Sequence, residues 1–309
     1  MLTVLLAAYN GDDYIAEQIN SIINSNNEDE LKIIVSLDKS VDKTADVVLS
    51  LDNPLIELIV HDKAFGSAQG NFSWAISEYA YKSDYFMLSD QDDFWLKNKI
   101  PDSMNEIRRM EKKYGVDTPC LVFTDSVVVD ENLQEIYDSF IKSSRFDAKK
   151  RNDFKQLIVQ NVAQGCTFTY NAALAKYLHS IPKDIIMHDW WMILVASYFG
   201  KVSFLDKKTM LYRQHAKNEI GAVKFSVFSS IMKLINEKSS FKKSIEKTKL
   251  QAKLFLQIYD ELIDYDNKNF LVDYSSSSNM PLLKRKFFLY KNRLVKSDSF
   301  RTLGLYVFF

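Results

Sequence analysis

Over the first 90 residues, apolar runs and amphipathic stretches alternate at short intervals, and this alternation restricts the fold more than any single motif does. Residues 2–8, Leu-Thr-Val-Leu-Leu-Ala-Ala, form a continuous apolar run of the kind found in strands buried on both faces. The run stops at Tyr9-Asn10-Gly11, which is turn chemistry. Ile15, Ile19, Ile22 and Ile23 then recur at helical spacing, with Asp12 or Asp13 as the expected N-cap. Residues 31–37 read as a second strand ending at Asp38, with a helix from about 42–44. Residues 55–60 read as a third strand. A helix follows from Gly70-Asn71, with Phe72, Ala75, Ile76 and Tyr79 on one side. The fourth strand, 85–88, runs into Ser89-Asp90-Gln91-Asp92-Asp93. Such a β-α-β-α-β-α-β order with short links predicts an α/β fold, a mostly parallel, doubly wound sheet flanked by helices. Ligands of these sheets bind beyond the carboxyl ends of the strands. The polar groups Tyr9-Asn10, Asp38 and Asp90 to Asp93 all fall at those ends.

Farther along, the pattern predicts a helix near 98–114 and strands at 120–124, 167–170 and 202–212. Residues 135–161 read as loops and short helices. A helix follows His188-Asp189, with Trp191, Leu194, Val195 and Tyr198 as its core side, and residues 213–221 read as a loop. Beyond 222 the chain turns helical and basic, with Leu234, Phe241, Ile245, Leu254, Ile258 and Leu262 marking amphipathic segments and Ser275 to Ser278 a hinge. The division expected is a body over 1–221, with one half to about residue 100 and a second over 101–221, and a C-terminal helical extension over 222–309. The whole chain holds 40 basic and 40 acidic residues, yet the extension alone holds 16 Lys and Arg against 8 Asp and Glu. An acidic body with a basic tail, lacking any nucleic-acid-binding motif, excludes nucleic acid as the expected partner. Cys120 and Cys166 lie in apolar stretches without CxxC spacing, which points to a reducing, cytoplasmic setting. No signal peptide, no run of about 18 apolar residues and no GxGxxG is visible, so a soluble or peripheral protein is expected.

The chemistry concentrates in Asp90-Gln91-Asp92-Asp93. Three carboxylates in four residues after an apolar strand repel one another unless a cation neutralises them, and hard divalent ions take carboxylate oxygens. By spacing alone the cluster is either a metal site or a solvated turn before a helix N-terminus, where acidic residues are favoured in any case.

Taken in order, the motifs resemble those of glycosyltransferase family 2, the inverting enzymes of the GT-A fold, in particular its bacterial rhamnosyltransferase-like branch. The resemblance covers residues 1–221. It rests on Ala8-Tyr9-Asn10-Gly11, on residues 36–44 (Ser-Leu-Asp-Lys-Ser-Val-Asp-Lys-Thr), and on Gly70-Asn71-Phe72. Residues 89–95 (Ser-Asp-Gln-Asp-Asp-Phe-Trp), ahead of Lys97 and Lys99, form the fourth segment. His188-Asp189-Trp190-Trp191 with Tyr212-Arg213-Gln214-His215 complete it. Lys39 stands where the family commonly has glycine, and the basic Ala216-Lys217-Asn218 also departs from the pattern.

The resemblance implies roles. A nucleotide-diphosphate sugar, dTDP- or UDP-linked, would be held by Ala8, Tyr9, Asn10, Asp38, Asn71, Asp90, Gln91 and Arg213, with Asp38 accepting the N3–H of the base. Mn²⁺ or Mg²⁺ would be held by Asp92 and His215. Asp189 would be the general base that takes the acceptor hydroxyl's proton. Gly165, Cys166, His188, Trp190 and Trp191 would border a saccharide or lipid-linked saccharide acceptor, with core packing the competing role for one tryptophan. The expected activity is sugar transfer in bacterial surface polysaccharide synthesis. Two alternatives are a non-catalytic GT-A-like subunit and a nucleotidyltransferase, whose Gly-rich, lysine-bearing N-terminal loop is missing here. Residues 281–309 hold seven Lys and Arg and one Asp interleaved with aromatics. That composition suits a membrane surface, and a helix packed on the body or a homodimer contact is the other use of such a segment.

Overall fold

The computed structural model describes residues 1–25, 29–149, 153–215 and 238–309. Its first half follows the alternation: β1 (Leu2–Ala8), α1 (Ile15–Ser25), β2 (Leu31–Leu37), α2 (Thr44–Ser50), β3 (Ile56–Val60), α3 (Ala68–Tyr79) and β4 (Tyr85–Ser89). β1 pairs in parallel with β2 and β4, and β2 with β3. Alternate β1 side chains divide between the faces, as the two-residue period of a strand requires. Leu2, Val4 and Leu6 join one core cluster and Leu5 the other. Helix α3 begins two residues earlier than the sequence suggests because Ser67 caps it, its hydroxyl accepting from the Gly70 N–H at 3.1 Å.

The second half comprises β5 (Phe94–Trp95), α4 (Lys99–Tyr114), β6 (Cys120–Val129), β7 (Glu135–Tyr137), α5 (Phe140–Ser143) and α6 (Phe154–Val159). These are followed by β8 (Thr169–Asn171), α7 (Ala172–Ala175), α8 (His188–Phe199) and β9 (Lys201–Arg213). The sheet order is β3-β2-β1-β4-β8-β6-β9-β5, with β7 paired to β6. The sheet is parallel through β3-β2-β1-β4 and again between β6 and β9, and antiparallel where β8 and β5 enter. It is therefore mixed rather than uniformly parallel. The expected strand at 167–170 begins at Thr169, because a single 3-10 turn, Gly165–Thr167, takes up the preceding residues.

The C-terminal segment forms α9 (Lys238–Tyr259), α10 (Tyr265–Ser275), α11 (Leu282–Lys291) and α12 (Ser299–Phe308). These helices share a core cluster with the sheet. Phe255 of α9 packs against Phe154, Trp191 and Tyr198, and Tyr274, Phe288 and Phe309 pack together in the same core cluster. Burying one such ring is worth about 1.5–3 kcal/mol, so the body and these helices stabilise each other. The expected hinge at Ser275 to Ser278 is a packed turn: Ser277 is buried and its hydroxyl donates to the Tyr274 carbonyl at 2.7 Å. Leu234, the loop residues 216–221 and the 221/222 boundary lie outside the described residues. Among the described residues no helix is long and apolar enough to cross a membrane.

Candidate active site

The carboxyl ends of β1, β2 and β4 meet through side-chain-to-backbone bonds. Gln91 pairs with the Tyr9 backbone in both directions, accepting its N–H at 2.8 Å and donating to its carbonyl at 3.0 Å. Asn10 adopts φ +44°, a left-handed conformation that Asn tolerates better than most residues. Its Oδ1 accepts the Val41 N–H at 2.9 Å, which joins the β1 and β2 loops. Asn71 is buried under these loops, donating to the Ser36 carbonyl (2.9 Å) and the Ala8 carbonyl (3.3 Å). Asp38 is buried, and its carboxylate accepts the backbone N–H groups of Lys39 (2.7 Å) and Phe65 (3.0 Å). An ionised carboxylate offers about four acceptor positions, so Asp38 retains capacity for a further donor. Tyr9 is exposed beside it.

Three carboxylates crowd the end of β4. Asp90, Asp93 and the Cys166 thiol bring ligand atoms within 4.8 Å of one another. Asp93 is buried; its Oδ1 accepts the Arg213 N–H at 3.1 Å, while Oδ2 has no hydrogen-bond partner among the described residues. Burial first, then the charges of Asp92 and Asp90, hold Asp93 well above the usual carboxylate range. Burial likewise pushes the Cys166 thiol up, which keeps it protonated and a poor nucleophile. His215 reaches back from the end of β9 and sets its Nε2 2.8 Å from Asp92 Oδ2, with its ring 5.0 Å from that of Tyr14. Carboxylate oxygens beside an imidazole suit Mn²⁺ or Mg²⁺, and Asp93 Oδ2 is a buried oxygen without a partner among the described residues at the same place. The residues present therefore fit a divalent ion, with Asp90, Asp92 and His215 as candidate holders.

The turn Gly165–Thr167 joins this cluster to Asp189. Asp189 lies in the first turn of α8, partly buried, and its carboxylate accepts the Trp190 N–H at 2.5 Å, with further bonds from the Gly165 backbone and the Asn161 side chain. Burial outweighs these bonds and pushes its pKa up to about 6. Asp189 is thus still ionised at neutral pH, and more basic than an ordinary aspartate. His188 stacks on Phe72 with ring centroids 4.2 Å apart, and burial lowers its pKa to about 3, so the ring is neutral. Neither of its ring nitrogens has a partner among the described residues. Gly165 is required by close approach, since a Cβ there would meet His188 Nε2 at 2.8 Å and Asp189 Cβ at 3.1 Å.

Four of the expected site residues, Trp191, Arg213, Asn71 and Gln91, have side chains engaged within the protein itself. Trp191 is buried against Phe255 and Tyr259 on the core side of α8, out of reach of an acceptor. Trp190 is the partly exposed member of the pair, its indole N–H donating to the Leu157 carbonyl at 2.6 Å. The Arg213 guanidinium, expected on phosphate, is buried: it donates to the carbonyls of Asp92 (2.7 Å) and Glu131 (2.6 Å), pairs with Glu17 and covers the Tyr14 ring. It clamps the Asp92 loop to α1. The side chains of Asn71 and Gln91 are likewise committed to protein carbonyls and amides, so they brace the loops. Lys99, visible in the sequence only as following the acidic cluster and given no role there, is entirely buried with its ammonium on the Cys166 carbonyl at 2.8 Å. Phe65, whose backbone N–H meets Asp38, and Asn161, beside Asp189, carried no signal in the sequence.

Residues 3–178 match the family model described as "Glycosyl transferase family 2". The chain is 31% identical over 229 residues to the dTDP-rhamnosyl transferase RfbG of Shigella flexneri, covering 70% of this chain and 74% of that one. Among solved structures it resembles residues 1–349 of TarS from S. aureus in complex with UDP-GlcNAc. The TM-score is 0.59 at 16% identity, over 94% of this chain and 78% of that one; of a longer TarS chain it spans 43%. It also resembles the mannosyltransferase PcManGT from Pyrobaculum calidifontis in complex with GDP-Man and Mn²⁺, with a TM-score of 0.53 at 14% identity, over 99% of this chain and 83% of that one. These structural likenesses bear on the fold, which is the mixed, helix-flanked sheet of GT-A glycosyltransferases.

Proposed function

The chain belongs to glycosyltransferase family 2 and is a glycosyltransferase, and we propose that it is an inverting, metal-dependent enzyme that uses a nucleotide-diphosphate sugar. Residues 1–221 are the transferase body in this reading, with the donor side to about residue 100 and the acceptor side over 101–221. The observation that carries the proposal is the Gly165–Thr167 turn. Its first residue bonds the Asp189 carboxylate, and its second sets a thiol against Asp90 and Asp93. A base and an acidic cation site thereby share one wall, as a single displacement at an anomeric carbon requires.

Asp38, with acceptor capacity left, receives the N3–H of a uracil or thymine ring beside the exposed Tyr9. Asp90, Asp92 and His215 hold Mn²⁺ or Mg²⁺; when bound, the ion neutralises charge on the departing diphosphate. Asp189 accepts the proton of an acceptor hydroxyl as the new C–O bond forms at the anomeric carbon and the bond to the diphosphate breaks. With one displacement the configuration inverts, and no second carboxylate is needed as nucleophile. Trp190, partly exposed, lines the acceptor side, with the neutral His188 ring buried behind it on Phe72. The 31% identity to a dTDP-rhamnosyl transferase favours dTDP-rhamnose as donor over a UDP-hexose, and a saccharide or lipid-linked saccharide of the bacterial surface as acceptor. Helix α11 presents Leu283, Phe287 and Tyr290, 84%, 63% and 75% exposed, along one stripe beside Lys284 and Lys291. Apolar and basic groups so arranged suit peripheral contact with anionic lipid on the cytoplasmic face.

The test is thermal stability with dTDP, UDP and their sugar conjugates, with and without Mn²⁺. A ligand at about 100 times its Kd adds roughly 2.7 kcal/mol to stability. A shift with one nucleotide family that depends on Mn²⁺ is expected; no shift with any of them refutes the reading.

A further inference from the structure

Lys99 opens α4 with a side chain entirely removed from solvent. Its ammonium donates to the Cys166 carbonyl at 2.8 Å, lies 3.8 Å from Met210 Sδ and sits 4.7 Å from the centre of the Trp95 ring. Among the described residues it forms no ion pair. A buried ammonium without a contacting carboxylate is costly, and an apolar side chain of the same volume would pack in its place at lower cost. What lies around it accounts for its charge. Burial lowers its pKa to about 8, and the acidic groups at the end of β4 oppose that shift, so it is mostly protonated at neutral pH. The same ammonium grips the turn whose first residue bonds Asp189.

We propose that Lys99 is a positioning residue with two roles: it is the resident cation behind the Asp90–Asp93 cluster, and it tethers the Gly165–Thr167 turn that seats Asp189. The inference rests on the metal reading of the proposed function. With one fixed positive charge at its back, the acidic cluster attracts a divalent ion less strongly than it would alone. Lys99 thus trades metal affinity for a preformed geometry. Removing the charge strengthens metal binding while loosening the base, a combination that a residue merely filling space does not produce.

The experiment is calorimetric titration of Mn²⁺ into the full chain at pH 7 with saturating dTDP or UDP, alongside turnover. Lys99→Met is expected to bind Mn²⁺ at least about fivefold more tightly than the wild type. Its kcat is expected to fall at least about tenfold, with the donor KM little changed. Lys99→Arg, which keeps the charge, should leave the Mn²⁺ affinity within about twofold of wild type. Should Lys99→Met fail to fold, the neutral Lys99→Gln reads the same charge effect. A folded neutral variant whose Mn²⁺ affinity is unchanged or weaker overturns the role of Lys99 alone. Absence of Mn²⁺ binding in the wild type removes the metal reading, and this role with it.

Discussion

Asp189 is the residue on which the proposed chemistry depends, and its surroundings set two numbers that can be measured separately. Burial raises its pKa from 3.8 to about 6, against hydrogen bonds that favour the ionised form. A base with that pKa is about nine-tenths protonated at pH 5, so kcat should fall to about one tenth of its plateau there and level off above pH 7. The same shift has a consequence for stability. A carboxyl whose pKa is higher in the folded than in the unfolded chain makes folding less favourable once ionised. The cost is absent below the unfolded value near 3.8, grows as pH rises, and is complete above about 6. About two pKa units correspond to roughly 3 kcal/mol at full burial, at 1.36 kcal/mol per unit. Asp189 keeps a solvent-facing edge, so about 1–2 kcal/mol is expected. Asp189→Asn should therefore lose at least about a hundredfold in kcat while binding donor normally, and should be more stable than wild type at pH 7.5 but not below pH 4. The assays are nucleotide release across pH 4.5–8.5 and denaturant melts at both pH values. An acid limb near pH 4, or full activity in the variant, removes Asp189 as the buried base. A loss of stability of equal size at both pH values would mean that the carboxylate acts only as a hydrogen-bonding cap of α8.

Other perturbations read other parts of the site. Asp92→Ala should abolish the Mn²⁺-dependent part of the nucleotide-induced thermal shift, and an unchanged shift removes Asp92 as a metal holder. Gly165→Ala should stay folded yet lose roughly 10- to 100-fold in kcat, because its Cβ would sit 2.8 Å from His188 Nε2 and 3.1 Å from Asp189 Cβ; wild-type turnover would contradict the described close approach. Gly200→Ala should cost more than about 3 kcal/mol in a denaturant melt, since its Cβ would lie 1.8 Å from the Pro119 carbonyl oxygen, a backbone atom that cannot swing aside. Phe287→Glu with Leu283→Glu should leave stability unchanged and reduce sedimentation with anionic vesicles several-fold. Equal sedimentation would assign α11 to another surface, a second copy of the chain among them.

The four N-terminal strands, the helices between them and the polar strand ends were legible because each depends on local pattern: short continuous apolar runs, helical spacing and turn residues. The acidic cluster was legible as charge crowding in consecutive residues, and Asp189 as the start of a helix, its part in the site entering only with the family resemblance. The antiparallel entry of β8 was not legible, because strand direction is decided by which edge a segment reaches and not by its own composition. Trp190 and Trp191 are identical side chains at adjacent positions, and only the rotation of α8 sends one into the core and leaves the other partly exposed. Arg213 was expected on the donor and Lys99 was noted only as following the acidic motif, yet the fold buries both, one against Glu17 and backbone carbonyls, the other beneath the Cys166 turn. Sequence alone thus determined which residues can carry charge and where the first four strands end; β6, expected over 120–124, runs on to Val129. Tertiary structure decided which of those charges meet solvent and which meet one another, because burial and pairing depend on distances between segments up to about two hundred residues apart, as for Glu17 and Arg213.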